Sequence, residues 1–122
     1  MESIHVEQTV LNWPISVSLT QSGPDWLVRI AGGCAPHIGS VSVAYVENDE
    51  VILEKILLPT HRDDVVGDRF AKVLARRFHA TVTVVCGIHY EAPGKEGLRQ
   101  IVACSESLLQ EILKKFPDKD NQ

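Results

Sequence analysis

The length, composition and charge of this chain are those of one small globular domain. Its 122 residues are 44% hydrophobic and 23% charged, close to the average of folded proteins and far from a disordered chain. The formal net charge is −4 and no basic stripe is present, which argues against binding to nucleic-acid phosphates.

Alternating apolar residues predict four strands in the first half of the chain. They are residues 15–20, 26–31, 38–46 and 51–58. Turn residues at positions 21–25 predict that the first two strands form an antiparallel hairpin. The third strand carries Ser40, Ser42 and Ala44 on one face, and such small residues let a helix, another backbone or a flat ligand come close.

The second half of the chain changes to a helical period. An amphipathic helix is predicted from Asp63 onward, a β-branched strand over residues 81–88, and a second helix over residues 98–116 whose apolar stripe includes Leu98 and Val102. The strand is apolar on both faces, which favours a central place in the sheet. The order β-β-β-β-α-β-α predicts an α+β fold: a mainly antiparallel sheet of about five strands with two helices on one face. We expect one domain over residues 1–122 with an ordered core of about 13–116.

The cysteines and the N-terminus indicate the compartment. Cys34, Cys86 and Cys104 are an odd number without a CxxC pair, which argues against a disulfide framework and a cysteine-rich zinc site. Cys86 and Cys104 are expected to be buried thiols. The first residues do not have the pattern of a signal peptide, and no apolar stretch approaches the ~20 residues of a membrane helix. We therefore expect a cytoplasmic protein.

Three histidines stand at junctions between predicted elements. His37 opens the third strand, His61 opens the first helix, and His89 ends the central strand. We expect them to converge at one rim of the sheet, where three imidazoles indicate a metal, anion or proton-transfer site. The alternative is that each imidazole hydrogen-bonds to a turn carbonyl. His5 and His79 have no such context and are expected at the surface or at helix caps.

Two backbone features near these histidines have both structural and ligand-binding interpretations. The pair Gly32-Gly33 predicts a tight turn or bulge, and it also lets backbone amides approach a phosphate or a planar ring. The helix start at Thr60-His61-Arg62 favours an anion, which Asp63 and Asp64 partly offset. Cys34 lies near His37, but no orienting group or oxyanion site can be assigned to make it a nucleophile.

The three junctions resemble motifs of the LpdD-like prenylated-flavin chaperone family, named for the small D subunit of gallate decarboxylase systems. Residues 32–41 (GGCAPHIGSV) are similar to its GG-x-x-PHIG-x-V segment. Residues 61–64 (HRDD) resemble its helix start, a His, then Lys or Arg, then two acidic residues. Residues 87–91 (GIHYE) resemble its GIH-aromatic-acid strand end, and the similarity covers residues 15–113. Thr60 stands where the family often has Gly, so this turn is expected to differ.

The resemblance implies an accessory protein that is not catalytic alone. It implies binding of prenylated FMN and its delivery to an apo UbiD-type decarboxylase, with a flavin prenyltransferase as a further partner. The residues that would form the ligand site are Gly32, Gly33, Pro36, His37, Gly39, Ser40, His61, Arg62, Gly87 and His89.

Two other functions fit the same residues. His37, His61 and His89 could hold a divalent metal, with Glu91 or Asp64 completing the shell, in a small metal-dependent hydrolase. Alternatively, the chain is a ligand-free structural subunit of a decarboxylase complex.

The assembly prediction comes from the sheet. With both helices on one face, Trp13, Trp26 and the alternation of the first two strands indicate that the other face is partly apolar. We therefore expect a homodimer with two-fold symmetry.

Overall fold

Period-two alternation of apolar side chains builds one sheet, and two amphipathic helices cover it. The computed structural model describes residues 3–59 and 64–118. Six strands and two helices form within these stretches, so the predicted α+β class is confirmed with one strand more than expected. The elements are β1 (Ser3–Val10), β2 (Trp13–Ser22), β3 (Asp25–Gly33), β4 (Ser40–Glu47), β5 (Glu50–Leu57), α1 (Asp64–Phe78), β6 (Val82–His89) and α2 (Gly94–Lys115).

The strand order is β1-β2-β3-β6-β4-β5. All neighbouring pairs are antiparallel except β3 and β6, which run parallel. β6 therefore lies inside the sheet between β3 and β4, as its apolar composition predicted. This insertion separates β3 from β4 although the two follow each other in sequence, and it decides where the candidate site forms.

The strand that sequence analysis missed is β1. Its side chains alternate, with Val6 buried on the helix side of the sheet and His5 and Glu7 on the other side. β1 joins β2 through Leu11 and Asn12, whose φ angles of 50° and 72° are those of a two-residue hairpin turn of type I′. The usual glycine of such a turn is absent, so the turn carried little sequence signal.

Both helices pack on the same face of the sheet, as predicted. α1 covers β4 and β6, where Gly67 fits against the small side chains of Ser40 and Ser42. α2 covers β1 and β2 and buries Leu108, Leu109 and Ile112. The small-residue face of the predicted third strand therefore accommodates a helix. The predicted apolar stripe of α2 includes two residues that are not buried, because Leu98 and Val102 are about half exposed, at 55% and 49%.

The aromatic cluster of the core corrects the prediction for Trp26. This side chain lies on the helix side, where its ring stacks on Phe78 at 5.1 Å between centroids and meets the edge of Phe116 at 5.5 Å. Trp13 is two residues before the buried Ile15, so strand alternation places it on the helix side as well. Neither tryptophan contributes to the helix-free face. Within the described residues, no helix is both long and apolar enough to cross a membrane.

Candidate functional site

The insertion of β6 between β3 and β4 forces the connecting segment to pass over the end of β6. We call this segment, residues 34–39, the crossover. The backbone N–H of Cys34 donates to the carbonyl of His89 at 2.9 Å, and that of Gly39 donates to the carbonyl of Cys86 at 2.9 Å. The segment is thus fixed at both ends to the carboxyl-terminal end of β6.

Two glycines make this crossing sterically allowed. A Cβ on Gly87 would lie 1.5 Å from the His37 carbonyl oxygen, and a Cβ on Gly33, which has φ of 86°, would lie 1.7 Å from the His89 carbonyl oxygen. Backbone therefore fills the space that the missing side chains leave. Gly32 is close-packed against the neighbouring strand β2, where a Cβ on it would lie 2.9 Å from Cγ1 of Ile15.

The remaining predicted site residues of the crossover differ in accessibility. Pro36 is exposed at the surface. Gly39 is buried, and its carbonyl accepts from the N–H of Leu58 at 2.9 Å. Ser40 has no exposed surface beneath α1, so a ligand contact there would require the helix to move.

The crossover brings two of the three junction histidines together. The rings of His37 and His89 lie 6.4 Å apart between centroids at an angle of 74°. The carbonyl of Ala35 accepts from Nδ1 of His37 at 3.1 Å, and Glu91 accepts from Nε2 of His89 at 3.1 Å. These bonds orient both imidazoles, and His89 keeps 46% of its side chain exposed. His61 and Arg62 lie outside the described residues.

Three possible metal donors also meet at this place, but they are not the predicted trio. Ligand atoms of Cys34, His89 and Glu91 lie within 4.8 Å of one another. The Cys34 thiol also approaches the His89 carbonyl at 3.6 Å. Among the predicted histidines within the described residues, His89 belongs to this set, and His37 hydrogen-bonds through Nδ1 to the carbonyl of Ala35.

Tyr90 anchors the strand end beneath the site and was missed by sequence analysis. Its ring is buried and its hydroxyl donates to the carbonyl of Trp13 at 2.9 Å. Burial, with smaller effects of Cys104 and Cys34, raises the pKa of Tyr90 to about 12. The neutral phenol therefore ties β6 to the start of β2. Its position beside His89, in the GIHYE segment, was the signal that could have found it.

An ion-pair cluster holds the start of α1 next to the site. Nζ of Lys55 donates to Asp68 at 2.9 Å and to Asp64 at 3.0 Å, and Asp68 also accepts from Ser42 at 2.8 Å. The hydrogen bond to Asp68, then that to Asp64, raises the pKa of Lys55. The lysine was not predicted to matter. The expected anion site at Thr60-His61-Arg62 falls outside the described residues and stays a prediction.

A second concavity lies at the opposite end of the sheet. This cleft of about 520 Å³ is lined by Trp26, Phe78 and Phe116 among others. Its cation, Arg77, donates through Nη1 to the carbonyls of Leu113 and Phe116 at 3.1 and 2.8 Å. This guanidinium therefore stabilises the C-terminal end of α2.

Comparison with known proteins decides the family. A family model described as the prenylated flavin chaperone LpdD-like domain matches residues 9–117. The chain belongs to the LpdD-like family. Protein LpdD of Lactiplantibacillus plantarum is 26% identical over 96 residues, which cover 75% of this chain and 68% of that protein.

The fold of this LpdD-like chain also occurs in a solved structure of a different protein. A chain in the crystal structure of a chaperone complex for yeast 20S proteasome assembly superposes with a TM-score of 0.55. The match covers 89% of this chain and 99% of that chain at 11% identity, so it concerns the fold alone. Membership of the LpdD-like family confirms the prediction of a non-catalytic accessory protein with a chaperone role for prenylated flavin.

Proposed function

We propose that this LpdD-like chain binds prenylated FMN at the crossover and delivers it to an apo UbiD-type decarboxylase in the cytoplasm. A flavin prenyltransferase would supply the cargo. The observation that carries this proposal is the pair of oriented imidazoles, His37 and His89, held 6.4 Å apart at an exposed strand end.

The chemistry of the crossover fits a flavin ligand. A flavin nucleotide presents ring carbonyls and a phosphate that accept hydrogen bonds and a ring N–H that donates one, and an imidazole can both donate and accept. In neutral His37 the bond from Nδ1 to Ala35 makes Nε2 the acceptor nitrogen. His89 has the opposite arrangement, because its Nε2 faces the Glu91 carboxylate. The two imidazoles are therefore oriented through different ring nitrogens, Nδ1 in His37 and Nε2 in His89.

The openness of the site suits delivery. Glu91, which orients His89, is itself 83% exposed, so ligand exchange would not require the core to open. A carrier has to release its cargo, and release is governed mainly by the dissociation rate. A partly exposed site with a few polar contacts favours a short residence time over tight retention.

Reconstitution of the decarboxylase tests the proposal. Apo UbiD-type enzyme is mixed with prenylated FMN, with or without this chain, and recovered activity is followed over time. We expect the chain to raise the rate or extent of activation, and the double variant His37→Asn/His89→Asn to lose that effect. Activation that is identical with and without the chain would overturn the delivery role.

The metal and flavin content of the purified protein distinguishes the proposed function from the metal-dependent hydrolase and the structural subunit. Stoichiometric bound metal without flavin would favour the hydrolase, with Cys34, His89 and Glu91 as its donors. A protein without flavin or metal that still binds the decarboxylase would favour a structural subunit. Either result would contradict the proposed function.

A further inference from the structure

The face of the sheet that the helices leave uncovered is divided into a polar half and an apolar half. On β1 and β2 it carries residues such as His5, Glu7, Ser16 and Ser18, which hydrogen-bond to one another. On β3, β6, β4 and β5 it carries apolar side chains, which we call the apolar patch. The patch comprises Leu27, Val85, Val41, Val43, Ile52 and Ile56, of which Leu27 and Ile56 are 47% and 62% exposed.

Strand register shows that the patch has opposite charges at its two sides. Arg29, Val85, Val41 and Ile56 form one row across the sheet, and Leu27, Thr83, Val43 and Glu54 form the next row. Arg29 therefore stands on β3 at one side, and Glu54 on β5 at the other. Both are exposed, and within the described part of the chain neither forms an ion pair.

We propose that the apolar patch is the interface of a homodimer in which the two sheets pack face to face. A two-fold axis between β6 and β4, along the strands, lays β3 of one copy over β5 of the other. Arg29 of each copy then lies over Ile56 of its partner, and Glu54 of the partner is one row farther along the same strand, about 7 Å away, a distance that a long arginine side chain can bridge. Sheets pack in this way with strand directions within about 30° of each other and side chains interdigitated.

Charge favours a second copy over an unlike partner. A two-fold interface requires each copy to carry both halves of every contact, and the patch holds Arg29 and Glu54 at complementary positions on its two sides. The polar half on β1 and β2 falls outside the overlap and stays in water. This interface does not depend on the proposed function.

The dimer has a consequence for the candidate site. A two-fold axis along the strands keeps equivalent strand ends at the same end of the assembly. The two crossovers therefore lie side by side, each next to the partner's sheet. If prenylated FMN binds there, as proposed above, the partner copy borders the ligand.

Mass measurements on charge-swapped variants test the interface. Sedimentation or light scattering at micromolar concentration is expected to give a dimer for the unmodified protein. Arg29→Glu and Glu54→Arg each place like charges across the interface and should raise the dissociation constant roughly tenfold or more. The double variant Arg29→Glu/Glu54→Arg restores opposite charges and should recover most of the dimer.

Val102→Glu is the matched control, because Val102 is 49% exposed on the helix side. It should leave the dimer intact, and circular dichroism checks that every variant is folded. A monomeric unmodified protein would overturn the interface, as would a dimer that Val102→Glu disrupts and the charge swaps do not. Failure of the double variant to recover the dimer lost in both single variants would also overturn it.

Discussion

His37 and His89 reach each other because two backbone segments cross without a side chain between them. Gly87 lies under the His37 carbonyl, and Gly33 lies under that of His89. The resemblance assigned these glycines to a ligand site, whereas in the structure they let the crossover pack on β6. Their place in the ligand site itself stays a prediction.

Replacement of the histidines separates a binding role from a structural one. His37→Asn and His89→Asn should each weaken prenylated FMN binding by roughly 1–3 kcal/mol, the scale of a lost buried or charge-assisted hydrogen bond. Both side chains are partly exposed, so the melting temperature without ligand should change little. Calorimetric or fluorescence titration gives the affinities, and the losses should be non-additive in the double variant because the rings are neighbours.

His79 provides the control for these substitutions. It is exposed at the end of α1, far in sequence from the crossover, with a φ of 50° that Asn accommodates well. His79→Asn should leave binding unchanged. Equal losses at His79 and at the crossover histidines would show that the crossover is not the site.

Tyr90 gives the fold a stability limit at alkaline pH. Burial raises its pKa from 10.0 to about 12, so the folded state holds the phenol proton more tightly than the unfolded state. The stabilisation is fully present below the unfolded pKa and is lost as pH rises through the folded value. The free energy of unfolding should therefore decrease between pH 10 and about 12.

Ultraviolet titration isolates this effect, because the chain has two tyrosines and replacing Tyr45 leaves Tyr90 as the one phenol that titrates. In Tyr45→Phe the phenolate band should develop only near pH 12 or together with unfolding. In Tyr90→Phe the alkaline decrease in stability should be smaller. Complete ionisation of Tyr90 near pH 10 in the folded protein would contradict the burial of its hydroxyl against Trp13.

The crossover is the element whose geometry is most sensitive to substitution. Gly87→Ala would put a Cβ 1.5 Å from backbone oxygen, and backbone cannot yield as a side-chain end can. We expect a loss of more than about 4 kcal/mol in the free energy of unfolding, or failure to fold. Gly23→Ala is the control, since no atom lies within 4 Å of its Cβ and only the φ of 60° adds strain.

Chemical denaturation measures both glycine variants. The left-handed backbone should cost Gly23→Ala about 1–2 kcal/mol. Equal stability of Gly87→Ala and Gly23→Ala would mean that the crossover does not pack on β6 as the structure has it.

At the scale of elements, period and composition predicted five strands, both helices and the central place of β6. β1 was missed, although Ile4, Val6 and Val10 alternate, because its hairpin turn has Leu11-Asn12 in place of a glycine-containing pair. Pairing partners were not predictable either. Local patterns contain no record of which strand lies beside which, and the parallel contact of β3 with β6 joins residues more than fifty positions apart.

The candidate site was predictable only in part, because some of its contacts depend on which strands lie side by side. Junction positions brought His37 and His89 to one strand end, as expected. The sequence did not predict that Glu91 would orient His89 or that Cys34 would meet them, because both depend on the path of the crossover over β6. The charge pair Lys55–Asp68 was likewise hidden, since it spans a strand and a helix.

At the scale of the whole molecule, one face of the sheet supports the fold and the other is available for contact. α1 and α2 bury the core on one side, and the apolar patch on the other side ends near the crossover. A carrier that bound its cargo at the end of a two-fold sandwich would present two ligand sites to a client together. Ligand loading and assembly are therefore expected to be linked, with Arg29→Glu and Glu54→Arg each reducing both.

Native mass spectrometry of protein co-expressed with a flavin prenyltransferase tests the central claim most directly. The unmodified chain should carry prenylated FMN at one ligand per chain, and the ligand mass should be recovered after denaturation. His37→Asn/His89→Asn, folded by circular dichroism and purified alongside, should carry little or none, while His79→Asn is loaded like the unmodified chain. A folded, unmodified protein without prenylated FMN, from cells in which a decarboxylase is loaded with it, would contradict the account.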